Sequence, residues 1–423
     1  MNYKRRVMDE ILDDLFPHLA AIALEGAKGV GKTATAMQRA RTTFSLDDDR
    51  QRLSVETHSR QVVEAEPPIF IDEWQLVPAV WDRVRRSVDA DPSGGRFLLA
   101  GSADIPSGTR IHSGAGRIVS LTMRPLSFAE RHPDQGSVSM KDLLSGARAD
   151  ITGTTDFSVP EYAEEILRSG FPGIRDLPSR ARRPHLESYV QRIISRDLPE
   201  NGVLVRKPQS LRKWLEAYAA ATATCTSYTK VLAAATAGED DRPAKETAIS
   251  YRDHLQRLFI LEPLDAWLPS FTPLKRLTQS PKHHLVDPAL AAHLAGIDQH
   301  GLLRGKGPEN LDYAGTWLGA LFESLVTQSL RTYADLHEAT VLHMRSRGGE
   351  HEVDLIIQRP DHSVLGVEVK LSHQVDKTDV KHLHWLETQI GDRLLDKVVI
   401  NTGPVAYRRE DGVAVVPLAL LTP

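Results

Sequence analysis

One octapeptide constrains this chain more than any other feature. Residues Gly26-Ala27-Lys28-Gly29-Val30-Gly31-Lys32-Thr33 fit G-x-x-x-x-G-K-[ST], the phosphate-binding P-loop. The apolar run Leu19–Leu24 before it reads as a buried strand, and Thr33–Ala40 after it reads as a helix. Strand, glycine loop and helix together let backbone N–H groups close around phosphates, with a helix N-terminus adding a favourable dipole. Lys32 is placed to reach the β/γ-phosphates and the Thr33 hydroxyl to ligate Mg²⁺, so ATP and Mg²⁺ are the expected ligands of Gly26–Thr33.

A second segment completes that site. Pro68-Ile69-Phe70-Ile71-Asp72-Glu73 is a short apolar strand ending in two carboxylates, the Walker B pattern. Asp72 would hold Mg²⁺, and Glu73 would polarise the attacking water. A third strand, Arg96–Ser102, runs to a small polar residue at the end that faces the ligand in open α/β sheets. Ser102 is therefore a candidate for sensing the γ-phosphate. Strand candidates at 20–24, 69–72, 97–101 and 117–122, with a weaker one near 53–56, alternate with helical patterns over residues 1–150 and predict a parallel α/β sheet.

The bulk numbers restrict the remainder. A length of 423 residues predicts several domains, and 41% hydrophobic with 26% charged residues is an ordinary globular balance. The net charge of −4 supplies no global basic field for nucleic acid. Cys225 is the single cysteine, which leaves no internal disulfide and fits a reducing cytoplasm. The absence of an 18-residue apolar run argues against a membrane span. The basic start Met1–Arg6 is followed by Asp9, Glu10, Asp13 and Asp14, so it reads as an amphipathic helix packed on the first domain, not a signal peptide.

Beyond residue 150 helical patterns dominate. Asp134–Val159, rich in Ser, Gly, Asp and Thr, reads as a mobile connection. Residues 151–206 form a helical lid or linker, with helices at Glu161–Ser169 and Arg180–Leu198. Helices at Gln209–Ala221, Tyr228–Ala237 and Glu246–Leu258, then a strand Phe259-Ile260-Leu261, give residues 207–300 the pattern of a winged helix, a fold that serves both DNA and protein contacts.

The segment 301–423 carries a second constellation. A helix Trp317–Tyr333 bears Glu323, a strand His351–Ile357 bears Asp354, and a strand Ser363–Lys370 bears Glu368 and Lys370 on one face. A hairpin brings Asp354 beside them. Carboxylates so grouped suit Mg²⁺ or Mn²⁺, with Lys370 stabilising charge on phosphate. His283-His284 and His382-x-His384 lack zinc partners in the sequence and read as packing or solvated histidines.

Taken together these motifs resemble the prokaryotic AAA+-type P-loop ATPase family with a C-terminal domain of uncharacterised function. The resemblance rests on Gly26–Thr33, Ile71-Asp72-Glu73-Trp74-Gln75, Leu99-Ala100-Gly101-Ser102, Gly116-Arg117 with Leu121–Glu130, Gly170-Phe171-Pro172-Gly173 and Tyr189–Leu198. It implies a P-loop parallel sheet, a helical and winged-helix middle, and a C-terminal PD-(D/E)XK nuclease-like α/β domain. In that domain Asp354, Glu368 and Lys370 match the core and Glu323 the helix acid.

The combined expectation is a cytoplasmic Mg²⁺-dependent ATPase with Glu73 as catalytic carboxylate. Arg117, with Arg196 as a second candidate, would contact the γ-phosphate in cis or across a homo-oligomer interface. Downstream action falls on DNA or RNA through metal-dependent chemistry. In the alternative, ATP sets the conformation of a scaffold that binds a protein partner.

Overall fold

A computed structural model describes residues 3–101, 114–203, 205–236, 245–269, 279–305, 316–346 and 348–423. The chain packs as two compact units. The first comprises residues 1–125, 191–206 and 253–260, and the second 126–190, 207–252 and 261–423.

In the first unit five strands form one parallel sheet: β1 Ala21–Glu25, β2 Thr42–Ser45, β3 Ile69–Asp72, β4 Phe97–Ala100 and β5 Val119–Thr122, in the order β2-β3-β4-β1-β5. The central strands β1, β3 and β4 are apolar and buried, as strands covered on both faces must be. On one side Trp74, Trp81, Val80, Val84 and Val55 pack on Ile69, Ile71, Phe97 and Leu99. The helix Val7–Leu15 buries Val7, Met8, Ile11 and Leu12, as its amphipathic pattern predicted.

The strand expected near 53–56 is instead part of the helix Asp49–Thr57. Asp48 caps it by accepting from the N–H groups of Arg50 and Gln51. Leu53 is exposed and Val55 buried, which a helix allows and a strand, placing i and i+2 on one face, does not. The edge strand is β2, which pairs with β3 from Thr42↔Ile69 to Ser45↔Asp72. The helix after the P-loop is shorter than its pattern suggested, Lys32–Met37.

The second unit is built on a seven-stranded mixed sheet. Its strands are β7 Gly153–Thr154, β8 Thr340–Arg345, β9 Glu352–Gln358, β10 Val364–Val369, β11 Leu394–Asn401, β12 Val405–Arg408 and β13 Ala414–Pro417, in the order β7-β12-β13-β11-β10-β9-β8. A separate pair joins β6 Val138–Ser139 to β14 Leu421–Thr422. The segment 134–159 is therefore paired structure and not a bare connection. It supplies β6 and β7, and between them the helix Met140–Leu144 buries Met140, Leu143 and Leu144. These strands are only two residues long, too short for alternation to reveal them.

The helix Trp317–Leu336 is buried along most of its length. The three helices of the middle region are present at Pro208–Ala220, Tyr228–Ala235 and Lys245–Arg257. The strand expected at Phe259–Leu261 does not form. Phe259 turns at φ 56, and Leu261 makes a single bridge to Leu285. Apolar character alone does not separate a strand from a buried turn. Among the described residues no helix is long and apolar enough to cross a membrane.

Candidate functional site

The first site lies where β1 ends. Gly26, Gly29 and Gly31 all take positive φ, and a Cβ on Gly26 would stand 2.2 Å from the Met123 carbonyl oxygen. The loop is thus held in a shape that side chains forbid. From the N-terminal segment the buried Arg6 donates to the Val30 carbonyl at 2.9 Å and to the Arg124 carbonyl at 2.9 Å, bracing the loop from behind. Lys32 is buried, and its Nζ donates to the carbonyls of Gly26 at 2.7 Å and Ala27 at 3.0 Å. Burial pushes the Lys32 pKa down to about 8, partly offset by the Glu73 and Asp72 carboxylates.

Two strands away, β3 delivers its carboxylates to the same place. The Thr33 hydroxyl donates to Asp72 Oδ2 at 2.9 Å, so the two oxygen groups expected to share a cation already touch. Burial raises the Asp72 pKa. Hard oxygen donors side by side suit Mg²⁺, which keeps most of its ligands as water and phosphate oxygens. Glu73 follows with φ 50 and ψ 42. A non-glycine residue in that region carries roughly 1–3 kcal/mol of strain, which is often found where a side chain must be aimed. Gln75 Nε2 donates to Glu73 Oε2 at 2.5 Å and fixes one carboxylate oxygen. The β4 end closes against this clamp. A Cβ on Gly101 would lie 2.3 Å from Gln75 Oε1 and 3.0 Å from Trp74 Nε1.

Other predicted residues stand elsewhere. Ser102 lies outside the described residues. Arg117 is not at the loop. Val119 pairs with Ile22 in a parallel register, so Arg117 is level with the start of β1 and the P-loop follows its other end. Five residues of strand, a rise of roughly 16 Å, intervene. Its guanidinium pairs instead with Asp89 at 2.8 Å. Arg196 is exposed and pairs with Glu200 at 2.7 Å. Lys28 does not point freely at the loop's mouth: it pairs at 2.7 Å with Asp197, a largely buried carboxylate on a π-helical turn, Ile193–Asp197.

In the second unit, the C-terminal constellation converges. Glu323, Asp354, Glu368 and Lys370 line one cavity of about 530 Å³. Asp354 Oδ2 accepts from the Val369 N–H at 2.9 Å, tying β9 to the end of β10. Lys370 Nζ lies 3.7 Å from Glu368 Oε2 and 3.8 Å from Asp379 Oδ1. The residue at the centre is one the motifs did not indicate. Lys282, 1% exposed, puts its ammonium 2.8 Å from Glu323, 3.2 Å from Asp354 and 3.5 Å from Glu352. Burial works against its charge, but Glu323, Asp354 and Glu352 hold its pKa well above the ordinary lysine value. Burial, then the neighbouring Asp354, pushes the Glu368 pKa well above the usual carboxylate range. Among the described residues no three His, Cys, Asp or Glu side chains form a group suited to a metal ion. Two of the residues expected to hold a divalent ion, Glu323 and Asp354, instead face the Lys282 ammonium.

Lys282 lies 41 residues before Glu323 and 72 before Asp354. It carries no local pattern, so only the fold reveals it.

Residues 19–132 match the family described as AAA domain. The chain carries a P-loop domain of the AAA+ type. Residues 159–301 and 318–421 match two domains of unknown function, DUF8612 and DUF4143. Uncharacterized proteins of Mycobacterium bovis and Mycobacterium tuberculosis are each 25% identical to it over 264 residues, 61% of this chain. The match spans 50% of the length of those relatives. Among solved structures, the Aeropyrum pernix ORC2 protein aligns at 16% identity over 68% of this chain and 90% of its own, with a TM-score of 0.27. Drosophila ORC bound to DNA aligns at 13% identity over 69% and 95%, with a TM-score of 0.24. No shared overall architecture follows from scores so low.

Proposed function

We propose that this chain binds and hydrolyses ATP with Mg²⁺ at the P-loop, and that nucleotide state sets the conformation of its second unit. The observation that carries this reading is the Thr33–Asp72 contact beside Lys32, with Glu73 clamped by Gln75. ATP is the substrate. Its β- and γ-phosphates take the place of the Gly26 and Ala27 carbonyls as partners of Lys32 Nζ. Thr33 and Asp72 would hold Mg²⁺, which when bound would supply positive charge beside the transferring phosphoryl group. Glu73, with one oxygen held by Gln75, orients a water and accepts its proton as the water attacks the γ-phosphorus. ADP and phosphate leave. An arginine from a second copy of the chain would complete the site, since Arg117 and Arg196 are engaged with Asp89 and Glu200.

The action we infer for the second unit is that of a cytoplasmic switch or scaffold, engaging a protein partner or DNA or RNA according to nucleotide state. Steady-state phosphate release by Glu73→Gln tests the first step. Release at the wild-type rate would remove Glu73 from the mechanism. A second reading, metal-dependent cleavage of nucleic acid, is favoured by the convergence of Asp354, Glu368, Lys370 and Glu323 on one cavity. The Lys282 ammonium between Glu323 and Asp354 argues against it.

A further inference from the structure

The cavity in the second unit holds a cation of its own. Three carboxylates, Glu323, Asp354 and Glu352, lie within 3.5 Å of the Lys282 ammonium, and Lys282 is fully enclosed. Glu368 completes the ring from β10. It is 97% buried, since only 3% of it is exposed, and its Oε1 has no hydrogen-bond partner among the described residues. A divalent ion among these carboxylates would sit within a few ångströms of a buried ammonium. Like charges at that separation repel.

We propose that Lys282 is the resident cation of this pocket, standing where a divalent ion would otherwise bind, so that the second unit takes no metal there and does not cleave nucleic acid by metal chemistry. The inference concerns the second unit alone and does not depend on ATP turnover at the P-loop. It also specifies what one substitution would do. Removing the ammonium leaves Arg345, 3.6 Å from Glu352, and Lys370 as the nearby cations and frees oxygens of Glu323 and Asp354 for Mn²⁺.

The test is a Mn²⁺ titration followed by electron paramagnetic resonance, without nucleotide. It uses an Asp72→Ala background, so that uptake at the P-loop is not counted. With Lys282 intact, no binding is expected up to millimolar Mn²⁺. Lys282→Met should acquire a site at least tenfold tighter, lost again on adding Asp354→Asn, and Mn²⁺ should raise its melting temperature. Lys282→Arg, which keeps the charge, should bind none. Mn²⁺ binding with Lys282 intact that disappears with Asp354→Asn overturns the proposal, as does a folded Lys282→Met protein that binds no Mn²⁺. If Lys282→Met does not fold, the titration with Lys282 intact decides alone.

Discussion

Lys32 illustrates how one residue couples burial to function. Its ammonium is nearly enclosed, which lowers its pKa to about 8, and phosphate charge would raise it again on binding. The sign follows. Below pH 8 the free protein already carries the proton, and ATP affinity is at its maximum. Above pH 8 the proton must be taken up on binding, so affinity falls, approaching tenfold per pH unit until the bound-state pKa is reached. Calorimetric titration between pH 7 and 9.5 in buffers of different ionisation heat should show that proton uptake. Lys32→Ala should weaken ATP binding and abolish its pH dependence in this range. Glu73→Gln separates binding from turnover: it keeps the shape, so affinity is retained while hydrolysis falls roughly 10²–10⁴-fold. The motif reading of both residues came from spacing alone. The clamp from Gln75, the brace from Arg6 and the Lys28–Asp197 pair came only from the fold.

At the scale of an element, the stretch Leu121–Glu130, conspicuous in the sequence, proves to be partly structural. Ser127 and Glu130 form a capping box for the short helix Phe128–Arg131. The Phe128 and Ala129 N–H groups donate to Ser329 Oγ at 3.0 Å and to the Tyr333 hydroxyl at 2.9 Å, both on the helix Trp317–Leu336. Arg131 then donates to Gln328 Oε1 at 2.8 Å and to the Glu165 carbonyl at 3.0 Å. Glu165 itself takes Arg175 in a two-bond pair at 2.6 and 3.0 Å. Burial opposes the Glu165 charge, but hydrogen bonds from His132 and Arg175 and the charges of Arg131 and Arg175 hold its pKa far below the ordinary value of 4.5. Its contribution to stability is therefore complete above about pH 4.5 and lost as pH falls below it. Arg175→Ala removes one partner of a buried pair, a change that costs about 3–5 kcal/mol. The low end is expected, because Arg168 and Arg131 remain 3.5 and 3.8 Å from Glu165. Urea unfolding should show the loss at pH 7 and a smaller loss at pH 3, where Glu165 in the variant, no longer held by Arg175, begins to take up a proton.

For the whole molecule the notable fact is connectivity. The first unit is assembled from residues 1–125, 191–206 and 253–260, so the chain returns to it twice after leaving. One returning segment carries Asp197, the partner of Lys28 in the P-loop. A nucleotide that draws Lys28 toward phosphate weakens that pair and disturbs a segment joined covalently, at residues 190–191 and 206–207, to the second unit. Hydrogen exchange should detect the consequence. With Glu73→Gln and saturating ATP, protection in Ile193–Asp197 and in the second unit should differ from the nucleotide-free protein, and Lys32→Ala should show no difference. Identical exchange in both states would leave ATP without influence beyond its own domain.

The P-loop, the Walker B carboxylates and the strands on which they stand were legible because each depends on short-range pattern: glycines where φ must be positive, apolar runs where both faces are covered, a hydroxyl next to a lysine. Asp354, Glu368 and Lys370 were legible for the same reason, lying on adjacent strands of one hairpin. The two-residue strands β6 and β7 and the edge strand β2 were not, since they are defined by partners remote in the sequence. Lys282 is the extreme case. Nothing local distinguishes it from other lysines, and its role exists only because a buried ammonium and carboxylates 41 and 72 residues away line one cavity. Sequence alone determined the groups of the P-loop site and the Asp354, Glu368 and Lys370 part of the second site. The tertiary structure decided which charges meet, because burial strengthens electrostatic interactions and makes an unpaired buried charge costly.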